Sequence, residues 1–436
     1  MSSQDHRGTE GAGGELIGEE GAETPAVPTS EDYSPRRLLV FQSGLTGAIG
    51  PILTTLLAFI MGGLVVALTG KNPFKVYHAI WNGSGLNWFF HVGDYSITLP
   101  FTDTQVWFPW DTASVAAQNL QQTLLLTTPI ILTALAVAFA FRCGMFNIGG
   151  QGQYLAGSIF AVWIGTSFDD MQPFVHVLLA VVAATLAGAA WAGIAGFLKA
   201  TVGAHEVITT IMLNWIAIYV AQFLFGLGGP LQDDAQPEIP ISADVVPGAK
   251  LPVFWGDPEF QGLSIGIFIA VAALVVYWIV INRTTLGYSV KAVGFNPEAA
   301  RYGGISVARN YFLAMAIAGS FAGLAGSMDV LGWQFHIATS DINASQIGFI
   351  GIAVALLGRN TAVGVGLSAL LFAALLNGTS TRNLDPEVFE PQLASNLTVL
   401  IQGLVVLFVG ADVIILSLLS RLRRRPAKTP RSASAA

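Results

Sequence analysis

The chain has 436 residues, 53% of them hydrophobic and only 11% charged, with a mean hydropathy of +0.61. Soluble domains carry about one quarter charged residues, so a water-soluble globule is excluded and an all-α polytopic membrane protein is expected. The net charge of −7 identifies no partner, because acids and bases are segregated along the chain; one cysteine and six scattered histidines argue against disulfide, redox and zinc chemistry.

Residues 1–36 are rich in Gly, Glu, Ser, Thr and Pro and lack the apolar surface needed to fold, so a disordered cytoplasmic tail is expected there. They also lack the basic and apolar regions of a secretory signal, which makes the tail a soluble extension before an uncleaved span. The membrane domain is expected over 37–420. Its apolar runs lie at about 44–69, 121–141, 147–166, 174–198, 207–227, 263–282, 311–331, 344–358, 361–377 and 396–419, each long enough, or nearly so, to cross about 30 Å of hydrocarbon. The eighth and ninth are short and split by Arg359-Asn360, so a re-entrant pair is an alternative. Ten spans divide naturally into two five-helix halves. A basic tail, 421–436, follows.

With both termini in the cytoplasm, Arg36, Arg37, Arg142, Lys199, Arg283, Lys291, Arg301, Arg309, Arg359 and the cluster Arg421, Arg423, Arg424, Arg425 fall inside. Lys71, Lys75, Lys250 and Arg382 fall outside. This bias makes 71–118 and 228–260 external loops and 283–310 a cytoplasmic loop.

The first external loop carries Trp81, Trp88, Phe89, Phe90, Trp107, Phe108 and Trp110, an interfacial belt or a grip for a partner. Tyr95 to Pro109 alternates as a hairpin would. The third span opens with Phe146-Asn147-Ile148-Gly149-Gly150-Gln151-Gly152-Gln153, glycines and amides in apolar sequence, which suits either tight helix packing or a polar path. The fifth span begins at Glu206, a helix-end residue, with Asn214 deeper. The eighth mirrors the third, with Gln346, Gly348, Gly351 and Gly358. Gly-interrupted segments at matching positions of two halves point to a central translocation site. Asn147, Gln151, Gln153, Asn214 and Gln346 are therefore the candidate substrate-lining residues.

Within the cytoplasmic loop, Gly294 to Gly304 reads as a short capped helix. Asn296 is the N-cap, Pro297 the first helical residue, Glu298 complements the helix dipole, and Gly303 is expected in the left-handed closing conformation. A helix this short is unstable alone. With nothing in its own loop to hold it, it is a docking element.

No Gly-x-x-x-x-Gly-Lys-[Ser/Thr] occurs: at the only Gly-Lys pair, Gly70-Lys71, Val65 replaces the first glycine and Asn72 follows. Hydrolase motifs are absent too, so the chain is expected not to be an enzyme, and any ATP coupling must come from another chain. Asp329 and Asp412 lie near span ends, which weakens a proton-coupled carrier reading.

The stretches Asn119 to Ser158, Glu206 to Val220, Asn282 to Gly326 and Gly348 to Ala374, with a weaker one at Lys71 to Gly85, resemble permease subunits of bacterial ABC importers of the ribose and branched-chain amino acid superfamily. The FNIG-x-x-GQ pattern at Phe146 to Gln153 and TIMLN at Thr210 to Asn214 are most similar to the nucleoside-type branch. The resemblance implies a type II ABC importer-like permease fold of about ten helices in the bacterial cytoplasmic membrane. It further implies a second homologous permease, an ATPase with two nucleotide-binding domains, and an extracytoplasmic substrate-binding lipoprotein. Asn296, Pro297, Glu298, Ala299, Ala300, Arg301 and Gly303 would form the coupling helix, and no cofactor is implied. The chain departs from the pattern in its long N-terminal tail and an insertion at Leu86 to Ala116. Simple sugars or branched-chain amino acids are alternative substrates. An ion-coupled secondary transporter and a receptor without flux are the rival classes.

Overall fold

Apolar runs punctuated by Gly, Pro and short polar caps fold into fourteen helices among the described residues. The computed structural model describes residues 36–89, 96–98, 105–107, 114–168, 170–256, 262–380, 382–383 and 390–410. Residues 1–35 of the expected tail 1–36, the expected tail 421–436, and Asp412 lie outside them, while Arg36 opens a helix. The chain divides into two units, Met1–Ala48 and Ile49–Ala436. Of the first, the described residues are the opening turns of α1 (Arg36–Leu68).

In the second unit, α2 (Pro73–Gly83) is capped by Asn72, whose Oδ1 accepts from Phe74 N at 2.9 Å, with Pro73 at the first helical position. Strands β1 (Ser96–Thr98) and β2 (Gln105–Trp107) pair antiparallel, forming the expected hairpin. Next come α3 (Val115–Arg142), α4 (Gly150–Gly165), α5 (Pro173–Val202) and α6 (Glu206–Phe225). A long connection with β3 (Val253–Trp255) and β4 (Leu263–Ser264) leads to α7 (Gly266–Arg283). The chain then forms α8 (Thr285–Phe295), α9 (Pro297–Tyr302), α10 (Val307–Asp329), α11 (Thr339–Ala344), α12 (Ile347–Leu357), α13 (Ala362–Gly378) and α14 (Pro391–Gly410). Every apolar run read from the sequence contains a helix. Seven helical stretches among the described residues are long and apolar enough to cross a membrane, and Ala362–Gly378 and Asn396–Phe408 are shorter apolar helices. The protein is an all-α, multi-pass membrane protein.

The core is built on α3, buried along nearly its whole length, with α10, α12 and α13 around it. Small residues bring backbones together: a Cβ built on Gly323 of α10 would lie 2.3 Å from the Ala184 carbonyl oxygen of α5, and one on Gly157 of α4 would lie 2.4 Å from that of Gly323. In lipid such contact is how helices associate, since apolar side chains gain nothing by leaving hydrocarbon for one another. The opposite face of α5 presents Leu178, Val182, Leu186 and Phe197 outward, as a lipid-facing side requires.

Three features differ from the sequence expectation. The loops 71–118 and 283–310 contain α2 and α8. The third span, expected from 147, becomes helical only at Gly150. The eighth is broken between α11 and α12, leaving α12 with 11 residues, about 16 Å at 1.5 Å per residue.

The connection between α6 and α7 is stitched to the end of α10. Val245 N donates to Phe335 O at 2.7 Å, Leu251 N to Leu331 O at 2.8 Å and Ser242 N to Ile337 O at 2.9 Å. Beneath it, α10 runs into a π-helical turn, Val330–Gln334.

Candidate functional site

Between α3 and α4 the backbone from Cys143 to Gly149 is non-helical yet mostly buried, which is tolerated in a membrane protein only where its polar groups find internal partners. The N-termini of α4 and α12 lack side-chain caps of their own. Gly149, at the N-cap of α4, has no side chain, and Gln346, at the N-cap of α12, makes no capping bond. Amides from elsewhere substitute. Asn214 Oδ1, on α6, accepts from Gly152 N at 2.8 Å, while its Nδ2 donates to Ile148 O at 2.9 Å. Gln151 Oε1 accepts from Gly348 N at 3.0 Å, so α4 supplies the N-cap of α12. Asn147 and Gln153 form a reciprocal amide pair at 3.0 and 2.9 Å, and Asn147 Oδ1 also accepts from Gly149 N.

The structure thus brings together four of the five candidate lining residues: Asn147, Gln151, Gln153 and Asn214 retain 0, 1, 1 and 3% of their surface. Two amides keep spare hydrogen-bonding capacity. Gln151 Nε2 makes no hydrogen bond, and Gln346 is exposed at the N-terminus of α12. The third and eighth spans meet through their broken ends, where a Cβ on Gly348 would lie 2.2 Å from Gln151 N. No side chain larger than hydrogen fits there.

On the capped segment, Asn296 Oδ1 accepts from Ala299 N at 3.1 Å, Pro297 opens α9, and Glu298 and Arg301 approach at 3.6 Å. The closing residue is Gly304, at φ +80°, and not Gly303, at φ −75°. Gly303 only continues the last turn, and the reversal needs positive φ one residue later. Nor is the helix unsupported within its loop. It packs on α8 and the start of α10, Ala300 is buried, and Ile305 N donates to Ala300 O at 3.0 Å.

Two residues missed by the capping pattern bracket α9: Phe295 is 89% and Tyr302 93% exposed. Two large aromatic side chains beside a six-residue helix were legible as apolar residues in a polar stretch. Asp329 is fully buried and accepts from Tyr154 Oη, Trp333 Nε1 and Gln334 Nε2. It holds α4 to the π-helical turn, a role its position near a span end did not disclose. Glu206 pairs with Lys199 at 2.9 Å, joining α5 to α6. Among the described residues no His, Cys, Asp or Glu cluster could hold a metal.

The family described as the permease component of the branched-chain amino acid transport system matches residues 119–410. The chain is 35% identical over 383 residues to the guanosine ABC transporter permease protein NupP of Bacillus subtilis (strain 168), covering 88% of this chain and 99% of that one. It is 33% identical over 348 residues to the nucleoside ABC transporter permease protein NupB of Lactococcus lactis subsp. cremoris (strain MG1363), covering 78% and 86%. It is also 32% identical over 366 residues to the glucose ABC transporter permease protein TsgB13 of Haloferax volcanii, covering 82% and 86%. No solved structure matches it. A multi-pass helical body and matches over most of its length agree: the chain belongs to the ABC transporter permease family of the branched-chain amino acid transport system type, and is a transport subunit and not an enzyme.

Proposed function

We propose that this permease imports nucleosides across the bacterial cytoplasmic membrane by alternating access, driven by a separate ATPase that engages α9. The likeness to the guanosine and nucleoside permeases over most of the chain carries the substrate assignment. An uncharged centre supports it, since spare amides such as Gln151 and Gln346 can orient a neutral nucleoside without a buried charge that holds it. In this reading Asn147, Gln153 and Asn214 fix the walls that position those two. Basic residues at one side of the spans favour cytoplasmic termini and a cytoplasmic α9.

An ABC permease works with an ATPase and a substrate-binding protein. The assembly we propose adds a second homologous permease, two nucleotide-binding domains and a binding protein carried as a lipoprotein. Asn296 to Gly303 would sit in a groove of the ATPase, anchored by Phe295 and Tyr302, because aromatic side chains at the centre of an interface carry much of its energy.

The test is uptake of radiolabelled guanosine and cytidine by proteoliposomes holding all four components. ATP-dependent accumulation of nucleoside is expected. Accumulation of glucose with no nucleoside uptake would establish the sugar reading, which the 32% identity to a glucose permease keeps in play. Gradient-driven uptake by this chain alone would replace the whole scheme with a secondary carrier.

A further inference from the structure

The end of α3 touches both α8 and the turn between α12 and α13. It closes by a two-bond turn, Met145 N to Ala140 O at 3.1 Å and Gly144 N to Phe141 O at 3.0 Å, with Gly144 at φ +74°, the arrangement that terminates helices at a left-handed residue. Gly144 then lies directly against Gly294, one residue before the exposed Phe295 and two before the N-cap of α9. A Cβ on Gly294 would lie 2.4 Å from Arg142 O and 3.0 Å from Gly144 N; a Cβ on Gly144 would lie 3.2 Å from both Cα and O of Gly294. The two backbones meet with no side chain between them.

Arg142 carries the contact to the other side. Its Nη2 donates to Asn360 O at 2.6 Å, and Tyr277 Oη donates to the same carbonyl at 2.7 Å. Asn360 and Arg359 form the turn from α12 to α13, both at positive φ, 52° and 51°, a conformation that persists in non-glycine residues only when its surroundings enforce it. From that turn α12 runs alongside α3, so close that a Cβ on Gly351 would lie 2.8 Å from Thr133 C, and it ends at the N-terminus capped by Gln151. From Gly144 the non-helical segment leads to the same knot by the other route. Residues 142–144 therefore connect α8, which bears the coupling segment, to both broken helices at once.

We infer that the Gly144–Gly294 contact, with Arg142 clamping the α12–α13 turn, is the joint that passes displacement of α8 and α9 to the α4 and α12 termini. Arg142, Gly144 and Gly294 are positioning residues: they act on the amides and never on the substrate. The inference rests on the proposed coupling through α9, and adds the route by which that coupling reaches the pathway. Flexible side chains at this contact would absorb motion, whereas backbone against backbone transmits it, because close-packed contacts are stiff.

The test uses the complete transporter in proteoliposomes and reads substrate moved per ATP hydrolysed. Gly294→Ala is expected to retain the ATPase on purification while uptake per ATP falls about tenfold, within the usual range of coupling between sites. Arg142→Gln, which adds no volume and loses only the clamp, is expected to shift the ratio in the same direction, and it decides the matter if Gly294→Ala fails to assemble. A merely structural role would lower hydrolysis and uptake together and leave the ratio unchanged; that result, or an unchanged ratio with normal uptake, overturns the joint. Ala300→Trp, run in parallel, separates the two readings. If it stays fully coupled, the docking of α9 is wrong; if it uncouples while Gly294→Ala and Arg142→Gln do not, only the joint is wrong.

Discussion

The amide knot and the α8–α9 hairpin break the rules of their surroundings in opposite ways. At the knot, polar side chains lie inside a membrane protein and nearly every group has a partner in the same chain. At the hairpin, Phe295 and Tyr302 stand free of the fold in a polar segment. Satisfied polarity in an apolar setting is structural, since the penalty for burial is met internally. Exposed aromatic surface has no such compensation, and under the proposed docking it is where the ATPase completes the structure. Substitutions should therefore cost stability at the knot and assembly at the hairpin.

The largest effect is expected at the glycine crossing that supports the knot. Gly323→Val places atoms where the backbones of Ala184 and Gly188 already sit. Overpacking costs about 1–3 kcal/mol when side chains can adjust; here the new atoms meet the backbone of α5, so α5 and α10 must separate. Little folded protein should be recovered from membranes by fluorescence-detected gel filtration. A monodisperse variant with native thermal stability would show that the crossing tolerates side chains.

Asn214→Leu comes next. It leaves Gly152 N and Ile148 O without partners, and each buried unsatisfied group costs about 1–3 kcal/mol. A clear fall in the thermal midpoint in detergent is expected, together with lost uptake. If stability stays native while substrate affinity alone changes, Asn214 is a substrate ligand and the contrast between knot and hairpin collapses.

Much of this was legible in the sequence, for identifiable reasons. Long apolar runs are helices because lipid leaves the backbone few alternatives, and the cap at Asn296 with Pro297 is a local signal that tertiary context did not alter. The misreadings are equally physical. Sequence places α8, with Gly287 and Gly294, in a loop; those glycines serve close approach, to Val280 O and Arg142 O, and not flexibility. The third span appeared to start at Asn147 because apolar composition cannot reveal an unwound stretch whose polar groups are met by Asn214, 66 residues from Ile148 along the chain. Gly303 and Gly304 are adjacent, and only the return of the chain into Ser306, the N-cap of α10, decides which takes positive φ.

At the hairpin the expected effects are smaller and of another kind. Phe295→Ala and Tyr302→Ala should leave thermal stability unchanged, since neither side chain is buried. Each should weaken capture of the ATPase about tenfold, the loss of roughly 1.4 kcal/mol at an interface anchor, measured by titrating the ATPase against permease in nanodiscs. Destabilised variants with normal ATPase affinity would place these aromatics in the fold and not in an interface.

The smallest effect concerns Cys143, which belongs to both regions, lying beside Gly144 and Gly294 and leading into the unwound segment. It is the only cysteine, is buried, and burial pushes its thiol up to about 12. The thiolate is the species that attacks maleimide, so a raised pKa and a closed site both suppress labelling at neutral pH. The resting transporter should take up almost no label at pH 7.5 and a full equivalent once unfolded, read by intact mass. The Cys143 sulfur donates to Asn310 O of α10 at 3.7 Å, so the labelling rate should rise during ATP turnover if the end of α3 and the start of α10 move apart. A rate in the resting state equal to that of the unfolded chain would mean this corner is already open, and the division between a rigid knot and a hairpin awaiting its partner would have to be redrawn there.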